Sequence, residues 1–154
     1  MIFNKVRTLK EQGKTIGITF STFDMLHAGH VAMLAEAKNH CDYLIAGLQT
    51  DPTIDRPDTK NKPVQSIVER QIQLAACRYV DDVVPNYGGA DSTASILMVN
   101  PDLIVVGSDW ATRDYYDQMN FTQAWLDAHG IGLCYIPYTQ GISTTAIRKR
   151  LSLG

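Results

Sequence analysis

The sequence predicts an α/β fold built on a doubly wound parallel sheet of about five strands, with helices on both faces. Short aliphatic segments alternate along the chain with longer segments of helical periodicity. The strand segments are continuously apolar, which is typical of strands buried on both faces of a parallel sheet. Strands that alternate with helices imply right-handed crossovers, which place helices on both faces.

The elements follow one another in a regular order. Strands are predicted at residues 14–20, 43–48, 82–85, 103–106 and 132–136. Helices are predicted from Ala28 onward and over residues 66–77, 92–99, 116–129 and 143–151. Ligands of such sheets bind at the carboxyl ends of the strands. We therefore expect the loops after the first, fourth and fifth strands to meet in one cleft.

Length and composition indicate one globular domain over residues 1–154, with residues 1–13 as a helical extension packed on it. The chain is 45% hydrophobic and 19% charged with a net charge of -2, so a general nucleic-acid surface is not expected. No segment approaches the roughly 20 apolar residues of a membrane span, and no signal core is visible. The three cysteines are widely separated, and we expect free thiols and a cytoplasmic location.

The segment His27-Ala28-Gly29-His30 lies where the first strand gives way to a helix. Its histidines are three residues apart and share one face, beside a helix end that carries unpaired amides and about half a positive charge. This predicts an anion site, with Gly29 allowing the backbone to approach the ligand. The alternatives are a surface or capping pair of histidines and a zinc site. Zinc usually needs three or four ligands, and no further nearby Cys, His or Glu completes a set.

A second polar segment starts the last predicted helix. Ser143 and Thr144 are expected to hold phosphate oxygens with their hydroxyls and the free amides, although a plain helix cap is the alternative reading. Arg148 lies one turn further and is expected to reach the same phosphates.

These motifs, with Thr22-Phe23-Asp24 before the first and Gly141–Arg148 around the second, resemble those of the HxGH nucleotidyltransferases, in particular the glycerol-3-phosphate cytidylyltransferases. The resemblance extends over roughly residues 15–151 and implies a Rossmann-like fold. The N-terminal lead-in is similar to that of the related heptose-phosphate adenylyltransferases. Further matching positions are Lys60, Lys62, Glu69, Arg70, residues 78–85 and residues 107–110.

The resemblance implies transfer of CMP from CTP to a phosphorylated alcohol, with glycerol 3-phosphate as the first candidate acceptor, and release of pyrophosphate. It also implies a homodimer, and Mg²⁺ carried with the triphosphate rather than by a protein cage. Three positions depart from the family pattern, namely Ser21, Tyr138 and Gln140. Tyr138 replaces an arginine expected at the phosphates.

The resemblance also assigns roles to residues. The catalytic residues are His27, His30 and Lys62; the nucleotide-binding residues are Thr22, Phe23, Gly29, Asp109, Gly141, Ile142, Ser143, Thr144 and Arg148; the acceptor or phosphate contacts are Lys60 and Arg70. The two lysines would close over substrate phosphate as a lid, unless they are simply solvated. A surface ion pair with Glu69 is the alternative for Arg70. Asp24 is expected to fix its turn by accepting backbone amides.

Two other functions stay open. Adenylyl transfer to a sugar phosphate is suggested by the N-terminal lead-in and by Tyr138. A nucleotide-binding module without catalysis is suggested by the three departures, although both histidines and Lys62 are retained. The aromatic residues Tyr115, Tyr116 and Phe121 fit a subunit interface or the core equally well.

Overall fold

The structure, a computed structural model, describes residues 1–51, 53, 62–87, 91–107, 115–137 and 142–153. These residues form a five-stranded sheet in the order β3-β2-β1-β4-β5, in which every neighbouring pair is parallel. The strands are β1 (Ile16–Ser21), β2 (Tyr43–Gln49), β3 (Asp82–Asn86), β4 (Leu103–Gly107) and β5 (Gly132–Ile136). The predicted doubly wound parallel sheet is confirmed.

Seven helices surround the sheet in the described part of the chain. They are α1 (Ile2–Glu11), α2 (Ala28–Lys38), α3 (Ile67–Ala76), α4 (Thr93–Val99), α5 (Tyr115–Met119), α6 (Gln123–Ala128) and α7 (Thr144–Leu153). The predicted N-terminal helix is α1, which buries Val6 against the sheet. Among the described helices, none has the length and apolar character that crossing a bilayer requires.

Two apolar clusters lie on opposite faces of the sheet, because successive side chains of a strand point to opposite sides. One cluster joins Ile45 of β2 to α1, α4, α5 and α6. The other joins Leu44 and Ala46 of the same strand to Leu34 of α2 and Leu74 of α3. Helices therefore cover both faces, as predicted.

The predicted helix over residues 116–129 is wrong in one respect, since the structure has two helices there. Asn120 takes the left-handed conformation with φ 58°, and the amide of Phe121 donates to the carbonyl of Tyr116 at 3.1 Å. This is a Schellman cap, completed by the edge-to-face contact of the Tyr116 and Phe121 rings. Thr122 then caps α6 by accepting the amide of Trp125 at 3.0 Å.

The two ends of the sheet differ in chemistry. At the amino ends of the strands, carboxylates accept main-chain amides: Asp102 accepts from Ile16 and Asp81 from Leu44, both at 2.8 Å. At the carboxyl ends, the chain from β1 turns into α2, and α7 approaches the same edge. This second edge carries the predicted site.

Candidate active site

The two imidazoles at the start of α2 are held by main-chain amides. His27 is the N-cap residue, and its Nδ1 accepts the amides of Gly29 at 3.0 Å and of His30 at 3.4 Å. His30 answers by accepting the amide of His27 at its own Nδ1, at 3.2 Å. The rings stack with centroids 3.8 Å apart. The capping pair that the sequence left as an alternative is therefore present, and it fixes both rings.

This capping geometry decides the tautomer of each ring. A main-chain amide only donates, so a nitrogen that accepts from it carries a lone pair. Both Nδ1 atoms are acceptors, and the proton of each neutral ring must therefore lie on Nε2. Capping thus leaves both rings with an Nε2–H that can donate to an anion, so capping and ligand binding are compatible.

Both rings are held in the neutral state. Burial lowers the pKa of His30 to about 4, with a further contribution from His27 that Asp24 opposes. Burial and, less strongly, Arg150 also lower the pKa of His27. Neutral imidazoles suit hydrogen-bond donation without a permanent charge at the site.

The amino end of α7 lies against the ring of His27. The hydroxyl of Thr144 is 3.5 Å from Nε2 of His27 and 3.2 Å from the carbonyl of Asp24. A Cβ on Gly29 would stand 3.0 Å from the carbonyl oxygen of Ile142, tighter than most real contacts. Ser143 caps α7 by accepting the amide of Ala146 at 3.0 Å. Of the three loops predicted to converge, the first and the last therefore meet, whereas residues 108–110 after β4 lie outside the described residues.

Asp24 sits between these segments and is only 5% exposed. Its carboxylate accepts the amides of Val64 at 2.8 Å and Gln65 at 3.0 Å, and Nη2 of Arg148 at 3.1 Å. These three hydrogen bonds lower its pKa, although burial alone would raise it. Asp24 does accept amides, as predicted, but they come from a segment forty residues away rather than from its own turn.

The backbone around Asp24 is strained. Phe23 and Met25 both have left-handed backbone angles, with φ 51° and 49°. Such angles in residues other than glycine cost on the order of 1–3 kcal/mol each and persist only where the surroundings impose them. The amide of Met25 donates to Oε1 of Gln65 at 2.8 Å, and the Phe23 ring packs 5.6 Å from that of His30. Sequence reasoning did not single out Gln65, and no local pattern marks it.

Lys62 and Arg148 lie next to each other, beside Asp24. Nη2 of Arg148 also donates to the carbonyl of Lys62, at 3.2 Å, and the Lys62 side chain is exposed. Nε of Arg148 is buried without a hydrogen-bond partner in the described residues. Arg148 thus ties α7 to the segment that carries Lys62, and contacts to phosphate by either residue stay a prediction.

Arg70 is 2% exposed and does not pair with Glu69 in a surface ion pair. Its guanidinium donates to four main-chain carbonyls, those of Thr22, Gln49, Thr50 and Gln65, at 2.5–3.2 Å. Glu69 instead closes a capping box with Ser66 at the start of α3. Arg70 therefore joins the ends of β1 and β2 to the segment before α3, and its contact with phosphate or acceptor stays a prediction.

Other predicted site residues have no described placement. Lys60, Asp109 and Gly141 lie outside the described residues, as do Tyr138 and Gln140. Thr22 does border the site, through the carbonyl that accepts from Arg70.

Metal-binding side chains do not cluster in the part of the chain that the structure describes, where no group of three His, Cys, Asp or Glu is placed to hold an ion. The cysteines Cys41, Cys77 and Cys134 are free thiols, each half-buried.

The sheet is doubly wound and parallel, and its first βα turn carries a capped imidazole pair, with His27 at the amino end of the last helix. This is the arrangement expected of a Rossmann-like nucleotidyltransferase. The chain belongs to the cytidylyltransferase-like family, whose model matches residues 18–150.

Individual relatives agree with this membership. The chain is 33% identical over 135 residues to the glycerol-3-phosphate cytidylyltransferase of Bacillus subtilis, covering 88% of this chain and 95% of that protein. It is 33% identical over 144 residues to the bifunctional protein HldE of Paramagnetospirillum magneticum, but spans only 28% of that longer protein. The crystal structure of a lipopolysaccharide core biosynthesis protein from Thermoplasma volcanium has the same fold, with TM-score 0.65, 24% identity and coverage of 82% of this chain and 98% of that one.

Proposed function

We propose that this nucleotidyltransferase transfers CMP from CTP to a phosphorylated alcohol, with glycerol 3-phosphate as the first candidate acceptor. The products are a CDP-alcohol and pyrophosphate. The observation that carries the proposal is the 3.5 Å approach of Thr144 to Nε2 of His27, which brings the amino end of α7 to the imidazole pair. The similarity to the Bacillus subtilis enzyme over almost its whole length supports this choice of substrates.

The reaction needs alignment and charge stabilisation more than a base. An oxygen of the acceptor phosphate, already an anion, forms a bond to the α-phosphorus, and the bond from that phosphorus to the bridging oxygen of pyrophosphate breaks. Negative charge spreads over the α-phosphate oxygens and the leaving group. The Nε2–H groups of His27 and His30 donate to the α-phosphate, and stabilise it most strongly as this charge develops.

The leaving pyrophosphate meets the amino end of α7. There, free amides and the helix dipole favour negative charge. The hydroxyl of Thr144 joins them by turning its O–H from the carbonyl of Asp24 to the phosphate. Lys62 closes over the substrate phosphates from the adjoining segment, together with Lys60. Arg148 and Arg70 supply positive charge beside them.

Mg²⁺ enters this proposal with the triphosphate, whose charge it neutralises. The oxygens of Asp24, a buried carboxylate whose charge acts on His30, already accept two amides and Arg148. They are poorly placed to act as metal ligands, and this fits an ion held by triphosphate oxygens and water.

Adenylyl transfer to a sugar phosphate is the second candidate. One observation favours it: the N-terminal lead-in, which resembles that of the heptose-phosphate adenylyltransferases, is part of the match to the HldE protein of Hyphomonas neptunium, which covers 99% of this chain against 88% for the cytidylyltransferase. The longer match takes in α1, which the structure packs into the core through Val6.

Pyrophosphate release measured with CTP and with ATP, each against glycerol 3-phosphate and a panel of sugar phosphates, separates these candidates. We expect release with CTP and a phosphorylated alcohol. Release with ATP alone would overturn the cytidylyl assignment. CTP binding by calorimetry without turnover on any acceptor would instead support a silent nucleotide-binding module.

A further inference from the structure

Three segments that are distant in sequence meet at one carboxylate. Asp24 belongs to the turn between β1 and α2, its Oδ1 and Oδ2 accept the amides of Gln65 and Val64, and its Oδ2 also accepts from Arg148 of α7. We call this set of contacts the Asp24 clamp. Each segment contributes to the site described above: the first carries the imidazoles, the second follows Lys62, and the third supplies the helix end.

The geometry of the turn indicates that the clamp has a positioning role. The left-handed angles of Phe23 and Met25 on both sides of Asp24 aim its carboxylate away from its own turn and toward Val64 and Gln65. The backbone returns the contact, because the amide of Met25 donates to the side chain of Gln65. A turn that only had to connect β1 to α2 would not need strained residues on both sides of a buried acid.

Arg148 joins the third segment, α7, to the other two segments of the clamp. The same Nη2 reaches Oδ2 of Asp24 and the carbonyl of Lys62, so α7 and the Lys62 segment are tied to each other as well as to Asp24. A shift of Asp24 would therefore displace the Lys62 backbone and the amino end of α7 together.

We propose that Asp24 is a positioning residue, whose clamp holds Lys62 and the amino end of α7 at the imidazole pair, so that Lys62 acts on substrate only while the clamp is closed. This rests on the transferase function proposed above, and goes beyond it in giving Asp24 control over Lys62 without contact to substrate.

The variant Asp24→Asn tests the clamp. Its amide keeps the shape of the side chain, but its NH₂ group would face the amides or Arg148, all of which donate. If the clamp positions Lys62, then Lys62→Ala lowers kcat/KM about a hundredfold in the native background and less than about threefold in the Asp24→Asn background. Equal factors in the two backgrounds would show that Asp24 acts independently of Lys62 and would overturn the proposal, as would an unaltered kcat/KM in Lys62→Ala.

Asp102→Asn is the matched control at the other end of the sheet. Asp102 likewise accepts a main-chain amide, that of Ile16 at 2.8 Å, and pairs with a cation, Lys10 at 3.3 Å. Loss of this carboxylate is expected to lower the thermal midpoint while Lys62→Ala keeps its full effect. If Asp102→Asn also abolished the Lys62 effect, general destabilisation would explain the result and the proposal would fail.

Hydrogen–deuterium exchange tests the contacts of the clamp independently of the proposed reaction. In Asp24→Asn the amides of Val64 and Gln65 should exchange at least about tenfold faster, whereas the amide of Ile16 should not change. Unchanged exchange at Val64 and Gln65 would overturn the clamp whatever the activity. If exchange is faster in Asp24→Asn but the native chain releases no pyrophosphate from any substrate, the clamp contacts are supported. Both the transferase function and the role of Asp24 in it would then be overturned.

Discussion

At the scale of single residues, main-chain amides decide the chemistry of the site. Nδ1 of His27 accepts the main-chain amide of His30, and Nδ1 of His30 accepts that of His27. This leaves Nε2–H of each neutral ring as the group that is free to donate to the ligand we propose. The rings are rigid because the helix start holds them, and a preorganised donor is worth more to a transition state than a mobile one.

Replacement of His30 by alanine tests the assigned donor. We expect His30→Ala to lower turnover at least about a hundredfold, on the order of 3 kcal/mol of transition-state stabilisation. Folding should survive, since loss of a cap contact costs about 1 kcal/mol. Pyrophosphate release and thermal unfolding measure the two effects.

His40→Ala is the control for this experiment. His40 lies just beyond α2, is exposed, and pairs with Glu36 at 3.4 Å, far from the capped rings. Its loss should leave turnover unchanged. Near-normal turnover in His30→Ala would remove His30 from the proposed mechanism.

Acid pH should weaken the start of α2. A second proton on either ring would sit on Nδ1 and face a donating amide. The pKa of His30 is about 4 in the folded chain and about 6.5 in the unfolded chain, so its stabilising contribution is complete above pH 6.5 and is lost as the pH falls toward 4. The free energy of unfolding, measured by urea titration, should therefore decrease across this range.

The variant His30→Asn tests whether His30 causes that pH dependence of the unfolding free energy. Its side-chain oxygen can still accept the amide of His27, but it does not titrate. The decrease between pH 6.5 and about pH 4.5 should be smaller than in the native chain. An identical decrease in both proteins would mean that other groups cause it. Asp24 is not one of them in this range, because its pKa lies below the ordinary value of 3.8 and its contribution is lost only at still lower pH.

The residues of the site were predictable to the extent that local sequence encodes them. The spacing of His27 and His30 and the start of α7 at Ser143 and Thr144 follow from helix geometry, so the sequence predicts them. The amide partners of Asp24 lie forty and forty-one residues away. Three of the four carbonyl partners of Arg70 belong to the ends of β1 and β2. Such contacts depend on tertiary packing, which no local pattern expresses.

At the scale of elements, the same distinction explains which parts of the fold were predictable. Continuous aliphatic segments such as Leu103–Gly107 predict buried strands, and all five appear. The break between α5 and α6 was missed because apolar periodicity continues across it. Asn120 and Thr122 did carry the signal, as a left-handed helix end followed by an N-cap.

The packing of α2 against α7 yields a prediction for Gly29→Ala. Alanine normally favours a helix over glycine by about 1 kcal/mol. Here its Cβ would stand 2.9 Å from the ring of His27 and 3.0 Å from the carbonyl of Ile142, which belongs to the backbone leading into α7. We therefore expect a lower thermal midpoint and turnover reduced at least about tenfold.

Gly132→Ala in β5 provides the comparison. Its added Cβ would meet its nearest neighbours at 3.8 and 3.9 Å, an ordinary contact distance. This variant should retain native turnover. A Gly29→Ala protein that is more stable and fully active would show that α2 and α7 are not in close contact.

At the scale of the whole molecule, the aromatic residues considered for an interface belong to the core. Tyr115 and Phe121 are only 3% and 5% exposed. An apolar face remains on and beside α3 instead, where Val64, Val68 and Ile72 recur every four residues and are 64%, 61% and 64% exposed. Large apolar side chains left exposed in a group are a feature of interaction sites.

We propose that this face of α3 packs on its counterpart in a second copy of the chain. Two α3 helices packed antiparallel about Ile72 would set Val68 of one copy opposite the exposed Ala76 of the other, so that large and small side chains interleave. Such self-complementarity is what a two-fold symmetric interface requires. The face is also continuous with the clamp, since Val64 donates its amide to Asp24.

Ile72→Glu should therefore change both assembly and activity. By light scattering, the native chain is expected at twice its mass of 17.1 kDa, and the variant at the single-chain mass. Turnover should also fall severalfold, because loss of the second copy would uncover the Val64 segment, which lies on the proposed interface and adjoins Lys62. Leu97→Glu places the same charge on an apolar residue of α4 that is 51% exposed, and should alter neither quantity. A native chain that stays monomeric at micromolar concentration would contradict the proposed dimer, whereas dissociation by Leu97→Glu would move the interface to α4.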